Sequence, residues 1–223
     1  MQHKGVHYDT GAVFRGPGYA MSTRRTPPDM AVVRRELEII RDDLHATAVR
    51  IVGSEVDRLS AVASVTLELG LEVWFSPAYF EYSADETTSR LVGAASAAVS
   101  LAADHPGRVI FVAGWEQTRF MPGLVPGRSI VERLEHLKGD PAVLGNGKLA
   151  EYLAGLVHAV RDVFDGPLTY ASLPFEQVDW DPFDYVGVDH YREARNKDRS
   201  IEMLEPFLAT GKPVIVTEFG MRT

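Results

Sequence analysis

The sequence predicts an α/β protein with the architecture of a (β/α)8 TIM-type barrel that lacks its eighth β/α repeat. Short apolar segments alternate with segments of helical periodicity along almost the whole chain. The short segments are apolar nearly throughout, which is typical of parallel strands that are covered by helices. The segment after the first of them, 9–18, contains neither glycine-rich motif that binds phosphate, which argues against an open doubly wound sheet.

The first predicted strand, 4–8, is followed by a polar, glycine-rich loop that extends to Arg25. Thr26 and Asp29, on either side of two prolines, then predict the start of a helix. Threonine can cap a helix, proline fits its first turn, and a carboxylate suits its positive end. The apolar residues that follow are three or four positions apart, namely Met30, Val33, Leu37, Ile40 and Leu44. This spacing predicts one apolar face on an amphipathic helix.

The second and third repeats follow the same pattern. Segment 48–52 predicts a strand, and Ser54 leads a helix whose end is marked by Gly70. Segment 71–77 predicts the third strand, and the alanine-rich segment 84–103 predicts the helix that follows it. The sequence Asp-His-Pro-Gly then ends that helix, because proline and glycine interrupt helical structure.

The fourth predicted strand, 108–113, precedes a long polar stretch, 117–146, that is predicted to hold one short helix, 130–137. This stretch is longer than an ordinary connection, so we expect it to lie at the functional site. The remaining predicted elements are a helix through Leu149 and Val163, strands at 168–172, 185–191 and 214–218, and a helix near 200–208. Only seven strands are predicted, so either the eighth repeat has been removed from this chain, or a partner or a rearranged segment closes the barrel.

Composition restricts the classes of function. The chain has 223 residues, of which 45% are hydrophobic and 24% charged, as expected for one folded domain spanning 1–223. A net charge of −8 argues against a nucleic acid partner, and the absence of cysteine excludes disulfides and a cysteine nucleophile. No apolar run approaches the roughly 20 residues of a membrane span. The first residues lack the apolar core of a secretory signal, so a chain that begins at its natural start is expected to be cytoplasmic.

Two glutamates mark the functional side of the predicted barrel. That side lies at the carboxyl ends of the strands, where Glu116 follows the fourth strand and Glu218 ends the seventh. Two carboxylates at one mouth can act as acid and nucleophile, because burial and mutual repulsion separate their pKa values. A separation of roughly 5 to 5.5 Å is typical of retaining glycoside hydrolysis, and about 6.5 to 9.5 Å of inverting hydrolysis.

Several segments resemble landmarks of the clan A glycoside hydrolases: 4–8 (KGVHY), 49–51 (VRI), Glu116 after the fourth strand, 186–191 (VGVDHY) and 212–220 (KPVIVTEFG). The chain is also similar to a bacterial family often labelled abortive infection protein, a label that describes no chemistry. Clan A enzymes are retaining (β/α)8 enzymes with an acid/base glutamate after strand four and a nucleophile after strand seven. The resemblance therefore implies that Glu116 is the general acid, later the base, and that Glu218 is the nucleophile.

The resemblance also implies supporting residues. Arg50 would keep Glu218 ionised, and either His190 or Tyr191 would orient it by a hydrogen bond. The remaining predicted substrate-binding or supporting residues are His7, Trp74 and Trp115. The two tryptophans offer faces on which sugar rings can stack. Clan A enzymes usually carry asparagine directly before the acid/base glutamate, where it contacts the sugar 2-hydroxyl. In this chain Trp115 occupies that position, so another group would have to make the contact.

Three functions follow from these residues. The first is a retaining, metal-free and cofactor-free glycosidase that acts on a neutral or weakly charged glycoside or oligosaccharide. The second is a non-catalytic barrel that binds a carbohydrate or another ligand, with a role in phage defence, as the family label suggests. The third is a metal-dependent hydrolase that uses the histidines and aspartates at 7, 9, 189 and 190. A structural interpretation also exists for Glu116, as the ion-pair partner of Arg119 in a solvated loop.

Overall fold

The computed structural model describes residues 3–16, 19–24, 26–139 and 146–221. Its central feature is a parallel sheet of seven strands, whose order in the sheet follows their order along the chain. The strands of this sheet are β1 (Gly5–Gly11), β2 (Ala48–Gly53), β3 (Glu72–Pro77), β4 (Val109–Trp115), β5 (Leu168–Ser172), β6 (Val186–Arg192) and β7 (Val214–Met221). Sequential parallel order with helical crossovers is the arrangement of a (β/α)8 barrel with seven strands in place. The predicted fold class is therefore confirmed.

Helices connect neighbouring strands of the sheet, except β5 and β6, between which the described residues form no helix. They are α1 (Met30–Asp42), α2 (Val56–Glu68), α3 (Ala84–Asp104), α4 (Gln117–Phe120), α5 (Ile130–Gly139), α6 (Asn146–Arg161) and α7 (Glu205–Leu208), with a 3-10 turn at Glu202–Leu204 before α7. Their apolar faces form the main hydrophobic core together with alternate strand residues, such as Val49 and Ile51 of β2. Within the described parts of the chain, no helix combines the length and the apolar composition that crossing a membrane requires.

The other set of strand residues faces the interior of the curled sheet. Side chains alternate between the two faces of a strand, so Arg50 of β2 lies on the face opposite Val49 and Ile51. Trp74, Ile110 and other interior residues form a separate buried cluster, against which Trp115 packs. This alternation explains how a charged arginine can occupy a strand that is buried along its whole length.

The sheet is open between β1 and β7. Among the described residues, no strand pairs with the outer edge of either one. The two strands line a cavity of about 370 Å³, here called the smaller cavity, together with Arg50 and Trp74. The Arg50 side chain extends to β7, where its Nη1 donates a hydrogen bond to the Thr217 carbonyl oxygen at 3.2 Å. A side chain from β2 thus links the interior to the last strand of the open sheet.

The structure corrects three predicted features near the N-terminus. The segment predicted as a loop after β1 contains an antiparallel hairpin of Val13–Gly16 and Tyr19–Ser22. Asp29, rather than Thr26, caps α1, because its carboxylate accepts the Ala31 N–H at 2.9 Å. Leu44 lies beyond the end of α1 and is 48% exposed. The prediction placed it on the helix because the apolar spacing continues past the last helical turn.

The long polar stretch after β4 folds over the carboxyl ends of the strands. The predicted short helix is present as α5, and residues 140–145 of the stretch lie outside the described residues. Arg133 anchors α5: it is fully buried, forms an ion pair with Glu81, and donates from Nε to the Arg119 carbonyl oxygen at 2.9 Å. This anchoring places Leu134 and Leu137 at the wall of the cavity described next.

Candidate active site

The carboxyl ends of β4, β6 and β7 surround one cavity of about 890 Å³, here called the larger cavity. Its lining includes Glu116, Asp189, His190, Tyr191 and Glu218. Tyr191 and Glu218 also line the smaller cavity, so the two cavities adjoin there. The topology therefore brings together the two glutamates that the sequence placed 102 positions apart, at 218 − 116.

Glu218 lies at the end of β7 in contact with three residues from other strands. Its Oε1 accepts a hydrogen bond from Arg50 Nη1 at 3.2 Å, and its Oε2 accepts one from the Tyr191 hydroxyl at 2.6 Å. The His7 Nδ1 lies 4.0 Å from Oε1. Arg50 and Tyr191 both stabilise the negative carboxylate and fix its two oxygens, so Glu218 has the environment that a nucleophile requires.

Arg50 connects most of the site. It is 6% exposed, donates from Nε to Ser76 Oγ at 3.2 Å, and lies 3.6 Å from Asp189 Oδ1. Its guanidinium carbon also lies 5.1 Å from the centre of the Trp115 ring, which is within cation–π range. A buried guanidinium is costly unless paired, and here Glu218 and Asp189 both supply negative charge.

Glu116 has an unusual backbone and a buried carboxyl. Its φ of 43° and ψ of 53° are left-handed, at a sharp turn between β4 and α4. The residue is 2% exposed, and its Oε2 accepts a hydrogen bond from Arg119 Nη1 at 2.7 Å. Burial raises the pKa of Glu116 to about 7, the nearby Arg119 charge opposes this shift, and the Glu218 carboxylate adds to it. The predicted ion pair with Arg119 is present, but it lies in a buried site rather than in a solvated loop.

Asp189 is a third carboxyl of the site, which the sequence suggested only as a possible metal ligand. It is 2% exposed, accepts the Trp115 indole N–H on Oδ2 at 2.8 Å, and accepts the Thr217 hydroxyl on Oδ1 at 2.5 Å. Burial raises its pKa to about 7, against the opposing effect of Arg50. The Trp115 N–H is therefore already bonded to Asp189. Trp115 occupies the position at which the resemblance expects an asparagine.

The other predicted substrate-binding or supporting residues lie in different parts of the site. Partial burial, and then the Arg50 charge, lower the pKa of His7 to about 4, so its ring is neutral at pH 7. His190 contacts Ser200 Oγ through Nε2 at 2.8 Å, whereas Tyr191 makes the predicted hydrogen bond to Glu218. Trp74 is 4% exposed, donates to Glu72 at 2.7 Å, and lines the smaller cavity. Its indole thus lies apart from the cavity that contains Glu116.

The residues of the metal-dependent alternative have other hydrogen-bond partners. Asp9 accepts the Gly11 N–H at 2.8 Å, and His190 and Asp189 are engaged as described above. Over the described ranges, no group of three or more histidine, cysteine, aspartate or glutamate side chains is arranged to hold a metal ion.

The raised pKa of Glu116 predicts a pH-dependent stability. Between about pH 4.5 and pH 7 the folded state retains a proton that the unfolded state has lost, so the free energy of unfolding falls as pH rises through this window. Glu116→Gln removes this titration. We expect the difference in free energy of unfolding, variant minus wild type, to be about 1 to 3 kcal/mol larger at pH 8 than at pH 5. This range follows from about 1.36 kcal/mol per pKa unit.

Chemical denaturation at a series of pH values measures this effect. Glu151→Gln is a matched control, because Glu151 is exposed on α6 and lies outside both cavities. Its stability curve should run parallel to that of the wild type. A Glu116→Gln curve that also runs parallel would show that Glu116 titrates at an ordinary pKa.

Comparison with known proteins gives a fold likeness. No family model and no curated protein sequence matches the chain, so the resemblance to the family labelled abortive infection protein finds no support. Among solved structures, a GH113 β-1,4-mannanase has a TM-score of 0.61 and 16% identity, covering 98% of this chain and 72% of that chain. The β-mannanase from Thermomonospora fusca has a TM-score of 0.53 and 14% identity, with 94% and 74% covered. The β-D-glucuronidase of Dictyoglomus thermophilum has a TM-score of 0.57 and 14% identity, with 98% and 36% covered. At these identities the likeness shows that the chain shares the TIM-barrel fold of these glycoside hydrolases.

Proposed function

We propose that this protein is a retaining glycoside hydrolase with Glu218 as the nucleophile and Glu116 as the general acid and then the base. One observation carries the proposal: the two carboxyls line the same cavity in opposite environments. Glu218 accepts hydrogen bonds from Arg50 and Tyr191, whereas Glu116 is buried with a pKa raised to about 7. Such a pair can hold one carboxylate and one carboxylic acid at neutral pH. The fold likeness to mannanases and glucuronidases supports a carbohydrate substrate.

The proposed reaction has two steps. In the first, a Glu218 oxygen attacks the anomeric carbon, the glycosidic C–O bond breaks, and Glu116 gives its proton to the departing oxygen. In the second, Glu116 takes a proton from water, the water oxygen attacks the anomeric carbon, and Glu218 is released as a carboxylate. After the first step Glu116 is negative, and its contact with Arg119 stabilises that form until water arrives.

The proposed substrate is a neutral or weakly charged glycoside. The larger cavity, at about 890 Å³, is large enough for a saccharide of more than one ring. Tyr191 and Phe175 contribute partly exposed rings to its lining, at 45% and 39% exposure, and can contact apolar sugar faces. Because Asp189 already accepts the Trp115 N–H, another group must contact the sugar 2-hydroxyl.

A second candidate is a barrel that binds a saccharide without cleaving it. Two observations favour it: Trp115 replaces the expected asparagine, and the Arg119 guanidinium lies directly on the Glu116 carboxyl. A cation at that distance opposes protonation of the acid. Both candidate functions predict that the protein binds a saccharide, and only the glycosidase predicts that it cleaves one.

A panel of aryl glycosides tests the proposal. The panel should contain aryl β-mannosides, β-glucosides and β-glucuronides, with release of the phenol followed by absorbance. We expect turnover of at least one neutral member, and proton NMR of the fresh product should show the anomeric configuration of the substrate. An inverted product would contradict the retaining mechanism. Saccharide binding by calorimetry with no turnover across the panel would favour the binding barrel.

A further inference from the structure

Glu176 lies in the loop after β5, directly after Phe175 of the larger cavity's lining, in a setting that an ordinary loop glutamate does not have. It is 4% exposed, and both of its oxygens accept hydrogen bonds. Oε1 accepts from the Thr118 N–H at 3.1 Å and the Thr118 hydroxyl at 2.6 Å. Oε2 accepts from the Tyr170 hydroxyl and the Leu173 N–H, each at 2.9 Å. Four donors on one buried carboxyl make a strong structural contact, because each would be costly to leave unpaired.

The donors of Glu176 include the segment that begins at Glu116. The first backbone N–H groups of a helix have no partner within the helix, and α4 begins directly after Glu116. The Gln117 N–H donates to the Tyr170 hydroxyl at 2.7 Å, and that hydroxyl donates onward to Glu176. The Thr118 N–H is thus held by Glu176 directly, and the Gln117 N–H is held by the Tyr170 hydroxyl that Glu176 accepts.

The backbone at Glu116 needs such support. A residue other than glycine in the left-handed region costs of order 1 kcal/mol or more and persists only when its surroundings impose it. The turn also requires Gly114, whose φ is 102°, since a Cβ there would lie 2.8 Å from the Gln117 side chain and 3.4 Å from the Tyr170 ring. The Tyr170 ring and hydroxyl thus contact the turn on both sides of Glu116.

We infer that Glu176, through Tyr170 and Thr118, is a positioning residue that fixes the left-handed turn at Glu116 and so directs its carboxyl into the larger cavity. Glu176 is not part of the larger cavity's lining, and its hydrogen bonds reach the turn through Tyr170 and through the backbone of α4. Its charge also acts on Glu116 directly, as a minor cause of the raised Glu116 pKa. The inference rests on the proposed function only in naming Glu116 as the acid. The geometric effect on Glu116 is measurable without a substrate.

Tyr170→Phe tests the positional effect, because it removes one hydroxyl from the contact and keeps both carboxyl groups, Glu116 and Glu176. We expect the released turn to expose Glu116 to water and lower its pKa by about one unit, since burial is the main cause of its raised pKa. The measurement is carbon-13 NMR titration of labelled glutamate carboxyls, with Glu116 assigned by comparison with Glu116→Gln. The Gln117 amide signal should shift as well.

Two further variants make the test independent of one substitution. Thr118→Val keeps the side-chain shape and the backbone N–H but removes the hydroxyl donor, so we expect it to lower the Glu116 pKa by a smaller amount. This variant provides the test if Tyr170→Phe does not fold. Tyr152→Phe is the matched control on α6, outside both cavities, and should leave Glu116 unchanged.

The inference is overturned if both site variants leave the Glu116 pKa and the Gln117 amide within the change that Tyr152→Phe produces. Failure of the proposed function would appear elsewhere, as absence of turnover by the wild type. If the wild type is active, Tyr170→Phe should also move the basic limb of its pH–rate profile to lower pH and reduce kcat more than it raises KM. A uniform loss of folded protein would not move that limb.

Discussion

Replacement of Glu218 by glutamine is expected to reduce turnover of an aryl glycoside by at least roughly 10⁴-fold, or about 5.4 kcal/mol of barrier. Glutamine has the same shape but cannot form the covalent intermediate. The glutamine side-chain oxygen can still accept a hydrogen bond from Arg50, and its amide N–H can donate one to the Tyr191 hydroxyl. We therefore expect the fold to be kept. Steady-state rates and circular dichroism measure the two effects separately.

A chemical rescue distinguishes a lost nucleophile from a general loss of structure. Glu218→Gly leaves space in which azide can act in place of the carboxylate, and the product should then be a glycosyl azide of inverted configuration. Glu151→Gln, on the exposed surface of α6, serves as the control and should retain the wild-type rate. Wild-type turnover by Glu218→Gln on a genuine substrate would remove Glu218 from the mechanism.

Replacement of Glu116 by alanine is expected to reduce turnover by about 10² to 10⁴-fold when the leaving group is a poor one. A leaving group as acidic as dinitrophenol needs no proton, so bond cleavage should be affected much less. In the wild type, activity should fall as pH rises through about 7, because Glu116 then loses the proton that it must donate. This basic limb should be absent in Glu116→Ala.

The comparison of two leaving groups provides the internal control for Glu116. Azide added to Glu116→Ala should give a glycosyl azide of retained configuration, since the vacant space lies on the opposite face of the sugar from Glu218. Equal losses for good and poor leaving groups would indicate a structural or binding role. An unchanged basic limb would assign the ionisation near pH 7 to another group. Asp189 and Glu176 are then the candidates, since burial raises the pKa of each to about 7 as well.

Much of the fold could be predicted because it depends on local pattern. The strand β5 was predicted with the bounds that it has, and α3 to within one residue, since apolar runs and glycine or proline breaks mark such elements directly. The hairpin of Val13–Gly16 and Tyr19–Ser22 was missed. Its two strands have only four residues each and lie within a polar, glycine-rich segment, so the sequence around them resembles a loop.

The site could be predicted only where a residue ends a strand. Glu116 and Glu218 were predicted to lie together in this way, because the carboxyl ends of parallel strands meet at one mouth. Arg50 lies within β2 and was suggested by the resemblance. Glu176 had no such signal, since a carboxylate in a loop after Leu173 and Pro174 is normally expected to be solvated. Its burial depends on the Tyr170 and Thr118 donors, which come from β5 and α4.

The sequence by itself determined the alternation of strands and helices, the parallel barrel architecture and the pair of strand-ending glutamates. These features follow from the periodicity of apolar residues, which each segment carries independently of the others. Only the tertiary structure decided the surroundings of each carboxyl: Arg119 and burial for Glu116, Arg50 and Tyr191 for Glu218, and the Trp115 N–H for Asp189. Charge state and orientation depend on distance and desolvation, and both arise only when segments far apart in sequence pack around one cavity.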